Sequence, residues 1–562
     1  MLIGNIGKSS KEIQFIGRAS KIRPAMVAHI DFSQLSQPYV GFSAIEDLLK
    51  LAPVQPLTTT CLIGKSRSES ANKGFRKLQF TPQFAPKPDL RGHFEFGLKY
   101  DDIHLEWMAR LFQAIAPDWI EDWLAATPTG VYARKTACLY EWLTGKSLSS
   151  PDTPASNYET LVDANAYFTA STPERNKRWK IDNNLPGTPH FCPMVRWTAE
   201  LRTAADFDLA SALDKLDNQF GSDLLMRSAA WLTFAESRAT FAIEKEADRS
   251  SDIKRFAAAM TEHCGNIEQP LSPQSLTVLQ KEILGSRALR TGVRKSPVFV
   301  GQSAHHGVTV VKYIAPPFAE LGLMLRGLEE FESKTRSSSP LIRAAVLSFG
   351  FVYIHPLADG NGRVHRLLIN DSLLRDGAVP AGTILPVSAA IAERRNFGDY
   401  ERILNSLSQR QIRRFNGQWS FANEAWVCED GVTTDFEFKA NEETMPFWRF
   451  PDLTWHSQYL CQMLRYTVEH NMTDEAAFLA RHDEALYRIK QVVEMPTHEA
   501  ARIIRSLREN NYRVTNLLAD QFPTLFGPEA ESGLSERLIE AVQSAFEEDI
   551  ATVIAKEPRT RF

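Results

Sequence analysis

Residues 354–366 read IHPLADGNGRVHR and contain the side chains best suited to chemistry. Within them, the sequence Asp-Gly-Asn-Gly at 359–362 predicts a tight turn, because glycine permits positive φ and close backbone approach. Apolar residues at helical spacing resume at Val364, so the turn opens a helix. Amides at a helix N-terminus bind anions, and Arg363 and Arg366 share one face of that helix. Two guanidinium groups beside such amides predict a polyphosphate site, since their planar donors match phosphate oxygens.

An aspartate and a histidine in the same stretch could supply the remaining chemistry. Asp359 is a hard oxygen ligand beside the anion site, which suits Mg²⁺ that bridges phosphates. His355 precedes the turn, where an imidazole could remove a proton from an attacking hydroxyl. The alternative is that the turn and the histidine are only structural. A bound anion would also explain the two arginines, which oppose the helix dipole in the first turn of a helix.

The stretch from His355 onward resembles the signature of the Fic family, His-x-Phe-x-Asp/Glu-Gly-Asn-Gly-Arg-x-x-Arg. Proteins of that family typically transfer AMP from ATP to a hydroxyl of a target protein. By position, the resemblance implies a catalytic base, a Mg²⁺ ligand, an anion hole and two phosphate ligands. These are, in that order, His355, then Asp359, then Gly360, Asn361 and Gly362, and finally Arg363 and Arg366.

Two further residues of this sequence can be compared with the residues usual at the same positions in the Fic family. Leu357 stands where the family usually has Phe, and we expect it to pack into the core. Tyr400 stands where the family often has an aromatic residue near the adenine, which implies a nucleotide contact, and a core tyrosine is the alternative. The acidic Asp359 and the complete glycine pattern argue against the phosphate-transferring Doc-like branch.

A β-hairpin is predicted from the strand-like segments SPVFVG (296–301) and GVTVVKYI (307–314). It resembles the flap that covers the active site in the Fic family. The resemblance implies that Phe299, Val300 and Gly301 belong to the nucleotide site. It also implies that the 296–314 flap clamps a segment of the target protein by strand addition, and it allows self-modification.

The segment AESRATFAIEKEA (235–247) predicts a helix, and Trp231 and Phe234 just before it can share one apolar stripe with Ile243. Thr240 and Glu244 lie four residues apart on one face. The pattern resembles the family's inhibitory helix, Ser/Thr-x-x-x-Glu-Gly/Asn, although Lys245 occupies the last position. The resemblance implies that Glu244 pairs with Arg366 in the place of the γ-phosphate.

The elements that must position these residues are mostly helical. The chain has 562 residues, which suggests about three or four domains. The net charge of −4 gives no support for a generic nucleic-acid binder. Six scattered cysteines without a CxxC pair favour reduced thiols. The sequence contains no apolar run of membrane-spanning length and no clear signal peptide, so we expect a cytoplasmic protein without a membrane partner.

Proline- and serine-rich breaks divide the chain into four regions. Residues 1–90 are unassigned, and 91–210 form a mainly helical domain. Residues 211–425 form a Fic-type helical core with a hairpin flap, including an inhibitory helix at about 222–247. Residues 426–562 form a C-terminal helical region, which we do not expect to bind DNA. The fold class is therefore mostly α.

The resemblance implies an autoinhibited protein adenylyltransferase that uses ATP and Mg²⁺, modifies a Ser, Thr or Tyr hydroxyl and releases pyrophosphate. One alternative is removal of AMP, or transfer of another nucleotide or phosphate-containing group, at the same site. Another alternative is a nucleotide-sensing regulator or a DNA-binding protein without turnover.

Overall fold

The computed structural model describes residues 30–72, 74–243, 250–285, 290–303, 309–393 and 397–555. The helices are α1 (Phe42–Leu49), α2 (Leu90–Tyr100), α3 (Leu105–Ala114), α4 (Asp118–Ala126), α5 (Val131–Thr144), α6 (Ala199–Ala205), α7 (Leu209–Phe220), α8 (Ser222–Ile243), α9 (Ser250–His263), α10 (Pro273–Leu284), α11 (Leu321–Lys334), α12 (Pro340–Ile354), α13 (Asn361–Arg375), α14 (Val387–Glu393), α15 (Phe397–Arg414), α16 (Asn441–Arg449), α17 (Thr454–Tyr466), α18 (Thr473–Val492), α19 (Thr497–Glu509), α20 (Asn516–Gln521), α21 (Pro523–Phe526), α22 (Leu534–Glu547) and α23 (Ile550–Ala555). A π-helical turn, Thr467–Met472, joins α17 to α18. The mostly α fold class is confirmed.

The strands are short. They are β1 (Tyr39–Val40), β2 (Thr59–Ile63), β3 (Ser68–Asn72), β4 (Phe75–Phe80), β5 (Glu159–Thr160), β6 (Glu174–Asn176), β7 (Ile181–Asn183), β8 (Phe299–Ser303), β9 (Thr309–Ile314), β10 (Trp419–Val427) and β11 (Thr433–Phe438). They form one sheet in the order β1-β2-β4-β3, a second in the order β5-β7-β6, and the hairpins β8-β9 and β10-β11. The predicted C-terminal helical region starts at 426, whereas the chain is still in a hairpin up to Phe438.

Contacts divide the chain into two compact units, and neither is continuous in sequence. The first contains the described residues up to Phe207 together with Glu262–Asp376 and Arg394–Gln462. The second contains Asp208–Thr261, Gly377–Glu393 and the described residues from Met463 onward. Only the predicted boundary at 210 lies near a boundary between these units. The predicted boundary at 90 crosses one apolar core, which α1 shares with α2, α3 and α5.

Within the first unit, the helix that matters most for the candidate site is α12, which is buried on all sides. Pro340 occupies the first position of this helix, where its missing amide hydrogen is not needed. Thirteen of the fifteen residues of α12 are buried. The buried Arg343 anchors its start, donating to both carboxylate oxygens of Asp376 at 2.7 and 3.0 Å. A helix that is apolar on all sides belongs inside a core, so α12 holds its C-terminal end rigidly.

The second unit contains a helical core of its own. Apolar side chains from α18, α19, α20, α21 and α22 form it, from Ala485 to Ala545. Arg508 of α19 stacks on the rings of Phe478 and Phe546. No helix in the described ranges has the length and hydropathy needed to cross a bilayer.

Candidate active site

His355 is the residue that ends α12. Its amide donates to the Phe351 carbonyl at 2.9 Å, and its φ of +50° is in the left-handed region. Its Nδ1 lies 3.2 Å from the Val352 carbonyl oxygen. Because a carbonyl oxygen only accepts, this contact selects the tautomer with hydrogen on Nδ1. With hydrogen on Nδ1, the lone pair of the ring lies on Nε2, which is the nitrogen that can accept a proton.

The turn after His355 is fixed by one asparagine. The side chain of Asn361 accepts from the Leu357 amide at 3.0 Å and donates to the Leu357 carbonyl at 2.8 Å. Leu357 is fully buried, which confirms the expected core packing. Gly360 has a φ of +89° at the N-cap of α13, a conformation that glycine adopts without strain. The sequence analysis gave Asn361 only an anion-hole role and missed this positioning function.

The predicted anion hole is only partly available in this structure. The Gly360 amide donates to Asp359 Oδ1 at 2.7 Å, so its hydrogen is already used. The first amides of α13 that bond within the turn are those of Arg363 and Val364, both to the Gly360 carbonyl. The preceding amides, of Asn361 and Gly362, are therefore the ones placed to receive an anion.

Asp359 has a carboxylate suited to a divalent cation. The residue is half-buried, and only its Oδ1 is bonded to another described residue. Within the described ranges no side chain or amide is bonded to Oδ2. An oxygen donor next to an anion site fits Mg²⁺, which is bound through one or two carboxylates plus phosphate oxygens.

Arg363 and Arg366 lie in the first turns of α13, as predicted, and both side chains are buried. The exposed fraction is 7% for Arg363 and 1% for Arg366. The conformation described here therefore does not present the guanidinium of Arg366 to solvent.

Arg294 connects the turn to the hairpin, and the sequence analysis did not identify it. Its guanidinium donates to the carbonyl of His355 at 2.8 Å and to those of Ser296 and Pro316 at 2.7 Å. Its own amide donates to the Pro356 carbonyl at 2.9 Å. Burial lowers the pKa of Arg294 to about 10, so the side chain stays charged at neutral pH. A lone arginine before a strand gives no sequence signal for such a role.

The predicted hairpin is confirmed as β8 and β9, with Phe299 opposite Ile314 and Val300 opposite Tyr313. The Phe299 ring packs on Phe436 at a centroid distance of 4.7 Å. At Gly301, an added Cβ would lie 2.9 Å from the Val310 carbonyl oxygen, so the position requires glycine. The backbone of Phe299, Val300 and Gly301 remains a predicted part of the nucleotide site.

The outer edge of β9 is closed at its end. The Gln411 side chain accepts from the Ile314 amide at 3.0 Å and donates to the Ile314 carbonyl at 2.8 Å. These are the two bonds that a neighbouring strand would make. The edge of β8 is therefore the better one for strand addition.

Tyr400 lies in an aromatic cluster. It is 8% exposed, and its ring centroid is 6.3 Å from His365 and from Tyr459 and 6.4 Å from Phe349. These contacts are those of a core tyrosine, the alternative that the sequence left open. Its adenine contact stays a prediction.

The helix predicted at about 222–247 is α8 over its described length. Glu244 and Lys245 lie outside the described residues. Thr240 is buried and donates to Ser388 Oγ at 3.0 Å, and the buried Glu236 accepts from the Ser388 amide at 2.5 Å. Trp231 is 54% exposed, so the predicted apolar stripe does not face the core at that residue. Polar bonds from α8 to α14 define the buried face instead.

Comparison with known proteins points to one family. The model of the Fic/DOC family matches residues 270–373. Protein adenylyltransferase Fic of Drosophila virilis is 30% identical over 144 residues, which cover 25% of this chain and 28% of the fly protein. The protein of the same name from Drosophila melanogaster has the same identity and coverage. The chain thus spans little more than a quarter of the length of these curated relatives.

Two solved structures are similar at low identity. A Fic family protein from Desulfovibrio desulfuricans G20 is 16% identical, with a TM-score of 0.38, covering 61% of this chain and 97% of the other. Fic-1 from C. elegans is 20% identical, with a TM-score of 0.25, covering 39% and 71%. The family match contains α10, the hairpin β8-β9, and the turn between α12 and α13 with its complete motif from His355 to Arg366. Residues 270–373 of this chain are a domain of the Fic/DOC family.

Proposed function

We propose that this chain is a protein adenylyltransferase, which transfers AMP from ATP to a Ser, Thr or Tyr hydroxyl of a target protein. The observation that carries the proposal is the turn between α12 and α13. There a histidine with a basic Nε2 precedes two helix-N-terminal amides, a carboxylate and two arginines. The relatives that match this part of the chain are named protein adenylyltransferases, which supports the same reaction.

The reaction requires positioning and charge stabilisation more than covalent help. His355 Nε2 takes the proton of the target hydroxyl as its oxygen attacks the α-phosphorus. The bond from the α-phosphorus to the bridging oxygen breaks, and pyrophosphate leaves with that oxygen. The amides of Asn361 and Gly362 and the guanidinium of Arg363 stabilise the negative charge on the phosphates. Asp359 would hold Mg²⁺, whose chemistry is to neutralise charge on phosphate oxygens.

The flap supports a protein as the acceptor. With Gln411 on the outer edge of β9, an extended segment of the target adds to the edge of β8. Backbone pairing of this kind fixes the segment without requiring a particular sequence. The target hydroxyl is then delivered to His355 by the register of the added strand.

Inhibition by the segment that contains Thr240 and Glu244 is part of this proposal. It rests on the Thr-x-x-x-Glu pattern at Thr240 and Glu244. A carboxylate paired with Arg366 would occupy the place of the γ-phosphate. Replacing the Glu244 carboxylate should therefore favour productive binding of ATP.

The proposal is tested with full-length protein, MgATP labelled at the α- or the γ-phosphate, and covalent label on protein as the readout. We expect label only from α-labelled ATP, and none with His355→Asn. Asparagine adopts the left-handed conformation more readily than most residues, so this variant removes the base with little backbone strain. We expect at least tenfold more label with Glu244→Gly, and an unchanged amount with Glu246→Gly as the matched control.

Two results would overturn the proposal. Label that appears only from γ-labelled ATP would indicate phosphate transfer. Equal labelling by wild type and His355→Asn would remove the histidine from the chemistry. Equal labelling by Glu244→Gly and Glu246→Gly would leave AMP transfer in place and reject the inhibitory role of Glu244.

A further inference from the structure

The second hairpin, β10-β11, is both aromatic and acidic. Residues 419–438 contain five aromatic residues and five carboxylates, and no Lys or Arg. The register pairs Trp419 with Phe438, Phe421 with Phe436 and Trp426 with Thr434. Residues paired across a hairpin lie on the same face, and so do alternate residues of one strand. All five aromatic residues therefore lie on one face of the hairpin.

That aromatic face is joined to the flap. The Phe299 ring of β8 contacts Phe436 at 4.7 Å and Phe421 at 5.5 Å between centroids. The loop between β10 and β11 is held by the segment before β8. The Lys295 amide donates to Asp430 Oδ2 at 2.7 Å, and Arg290 donates to the Asp430 carbonyl at 2.8 Å. The second hairpin therefore has a fixed position beside the flap.

A groove of about 360 Å³ runs between the base of the flap and the second hairpin. Its walls are mainly apolar, formed by Pro297, Pro316, Pro317, Phe318, Trp426 and Phe438. Phe318 is 43% exposed and Trp426 is 37% exposed, although both are large apolar side chains. Adjacent exposed aromatic residues in a concave surface are typical of binding sites.

Arg294 places this groove next to the candidate catalytic residue. One guanidinium donates both to Pro316, which lines the groove, and to the carbonyl of His355. A chain segment seated in the groove therefore lies close to the end of α12. It also lies beside β8, whose edge is proposed to receive the acceptor strand.

The charge around the groove determines which segment fits. Glu429 lines it, is 68% exposed in its side chain, and contacts Lys295. Glu424 is exposed on β10. Asp435 and Glu437 lie on the opposite face of the hairpin. Glu429 and Glu424 are therefore the relevant carboxylates, with Lys295 as the cation in the groove lining. The remaining negative charge beside the aromatic wall favours a positively charged partner.

We propose that this groove binds the part of the target protein that flanks the modified hydroxyl, and that it selects an apolar side chain next to Lys or Arg. The inference rests on the proposed function, because the occupant is the acceptor in that transfer. The apolar side chain contacts Trp426 and Phe318, while the basic side chain shares the Glu429 carboxylate with Lys295. The edge of β8 supplies affinity from backbone pairing, and the groove supplies sequence preference.

The test measures peptide binding without nucleotide, by fluorescence anisotropy with the full chain at physiological salt. The probes are two short labelled peptides that alternate leucine with either arginine or glutamate. We expect the wild type to bind the arginine peptide at least tenfold more tightly. Trp426→Ala should weaken that binding at least tenfold, and Glu429→Lys should abolish the preference for arginine.

Matched controls use the same substitutions at other sites. Trp231→Ala removes an exposed tryptophan of the second unit. Glu437→Lys reverses a charge on β11, where its pairing with Ser420 puts it on the opposite face of the hairpin. Both controls should bind the arginine peptide as the wild type does.

This experiment tests the groove proposal and the proposed AMP transfer independently. His355→Asn should keep peptide binding while losing transfer. Peptide binding with the expected pattern, but without AMP transfer, would reject the enzyme and keep the groove. Equal affinity of the wild type for the two peptides, or unchanged binding by Trp426→Ala, would overturn the groove proposal whether or not AMP is transferred.

Discussion

At the scale of single residues, the conformation of His355 connects stability to chemistry. A side chain in the left-handed region costs about 1–2 kcal/mol relative to a helical conformation. The same conformation ends α12 and holds Nδ1 against the Val352 carbonyl, so the ring cannot be placed without it. The strain is thus part of the arrangement that leaves Nε2 as a base.

We therefore expect His355→Gly to be more stable than His355→Ala by about 1 kcal/mol, although neither variant transfers AMP. Both substitutions remove the ring, and only alanine retains a Cβ in the left-handed region. Urea unfolding of the two full-length variants measures the difference. Equal midpoints, or a more stable alanine variant, would show that the backbone at 355 is not strained.

Sequence reasoning worked best for residues whose role follows from local spacing. The turn at 359–362, the helix after it, the burial of Leu357 and the shared position of Arg363 and Arg366 all depend on neighbours within one or two turns. Asn361 and Arg294 were missed for different reasons. The hydrogen bonds of Asn361 are local and could have been predicted. They were not considered, because the anion-hole role already explained why an asparagine is present. The partners of Arg294 are backbone carbonyls, which have no sequence signature.

At the scale of elements, Arg294 is the part that joins α12, the segment before β8 and the segment after β9. Lysine cannot donate to three carbonyls in the same planar arrangement. We expect Arg294→Lys to reduce transfer at least tenfold and to destabilise the protein by about 2–3 kcal/mol, because buried carbonyls lose their donors. Initial rates of α-label incorporation and urea unfolding test this. Arg290→Lys, an arginine bonded to the exposed loop of the second hairpin, is the control.

A second prediction at the scale of elements concerns Gln411, whose side chain bonds the outer edge of β9. Gln411→Leu removes both bonds to Ile314, so the buried amide loses its partner, while the carbonyl still accepts from Trp448 Nε1 at 3.0 Å. We expect a loss of about 2 kcal/mol in stability and faster amide exchange in β9. Gln411→Glu keeps the acceptor for the Ile314 amide but sets a second acceptor against the Ile314 carbonyl, so it should not restore the stability of the wild type. Unchanged exchange in β9 with Gln411→Leu would mean that the side chain does not support the flap.

Element prediction failed where polar residues are buried and aromatic residues are exposed. In α8, hydrophobic periodicity selected a face with Trp231, whereas the buried face contains Glu236 and Thr240, satisfied by Ser388. The second hairpin was not predicted because a bulge between Phe421 and Trp426 interrupts its alternation. In both cases a distant partner decides which face is buried, and spacing cannot reveal that partner.

At the scale of the whole molecule, each compact unit is assembled from chain segments that are far apart in sequence. The short segment Gly377–Glu393 lies between two parts of the first unit but belongs to the second. Amino-acid composition indicates breaks between neighbouring segments. It does not indicate that a later segment of the chain packs with an earlier one. The predicted linear domains could not reproduce this organisation.

Long-range assembly also makes stability depend on pH through buried histidines. His456 of α17 is fully buried, with Nε2 2.7 Å from the Tyr353 hydroxyl of α12. Burial lowers the pKa of His456 to about 3, and the nearby charge of Asp452 opposes that shift only partly. In the unfolded chain a histidine titrates near pH 6.5. Below that pH the unfolded chain binds a proton that the folded protein does not, so stability falls as pH decreases from about 6.5 toward 3.

From pH 7 to pH 5, His456 should therefore contribute a loss of about 2 kcal/mol in the free energy of unfolding. His456→Gln removes that contribution, so its stability should decline less steeply with acid than that of the wild type. His498→Gln, at an exposed histidine of α19, should decline as the wild type does. Because the chain has two units, amide hydrogen exchange in α12 at the two pH values is the suitable measurement. If the α12 amides of wild type and His456→Gln lose the same protection between pH 7 and 5, protonation of His456 does not limit the stability of the core that holds His355.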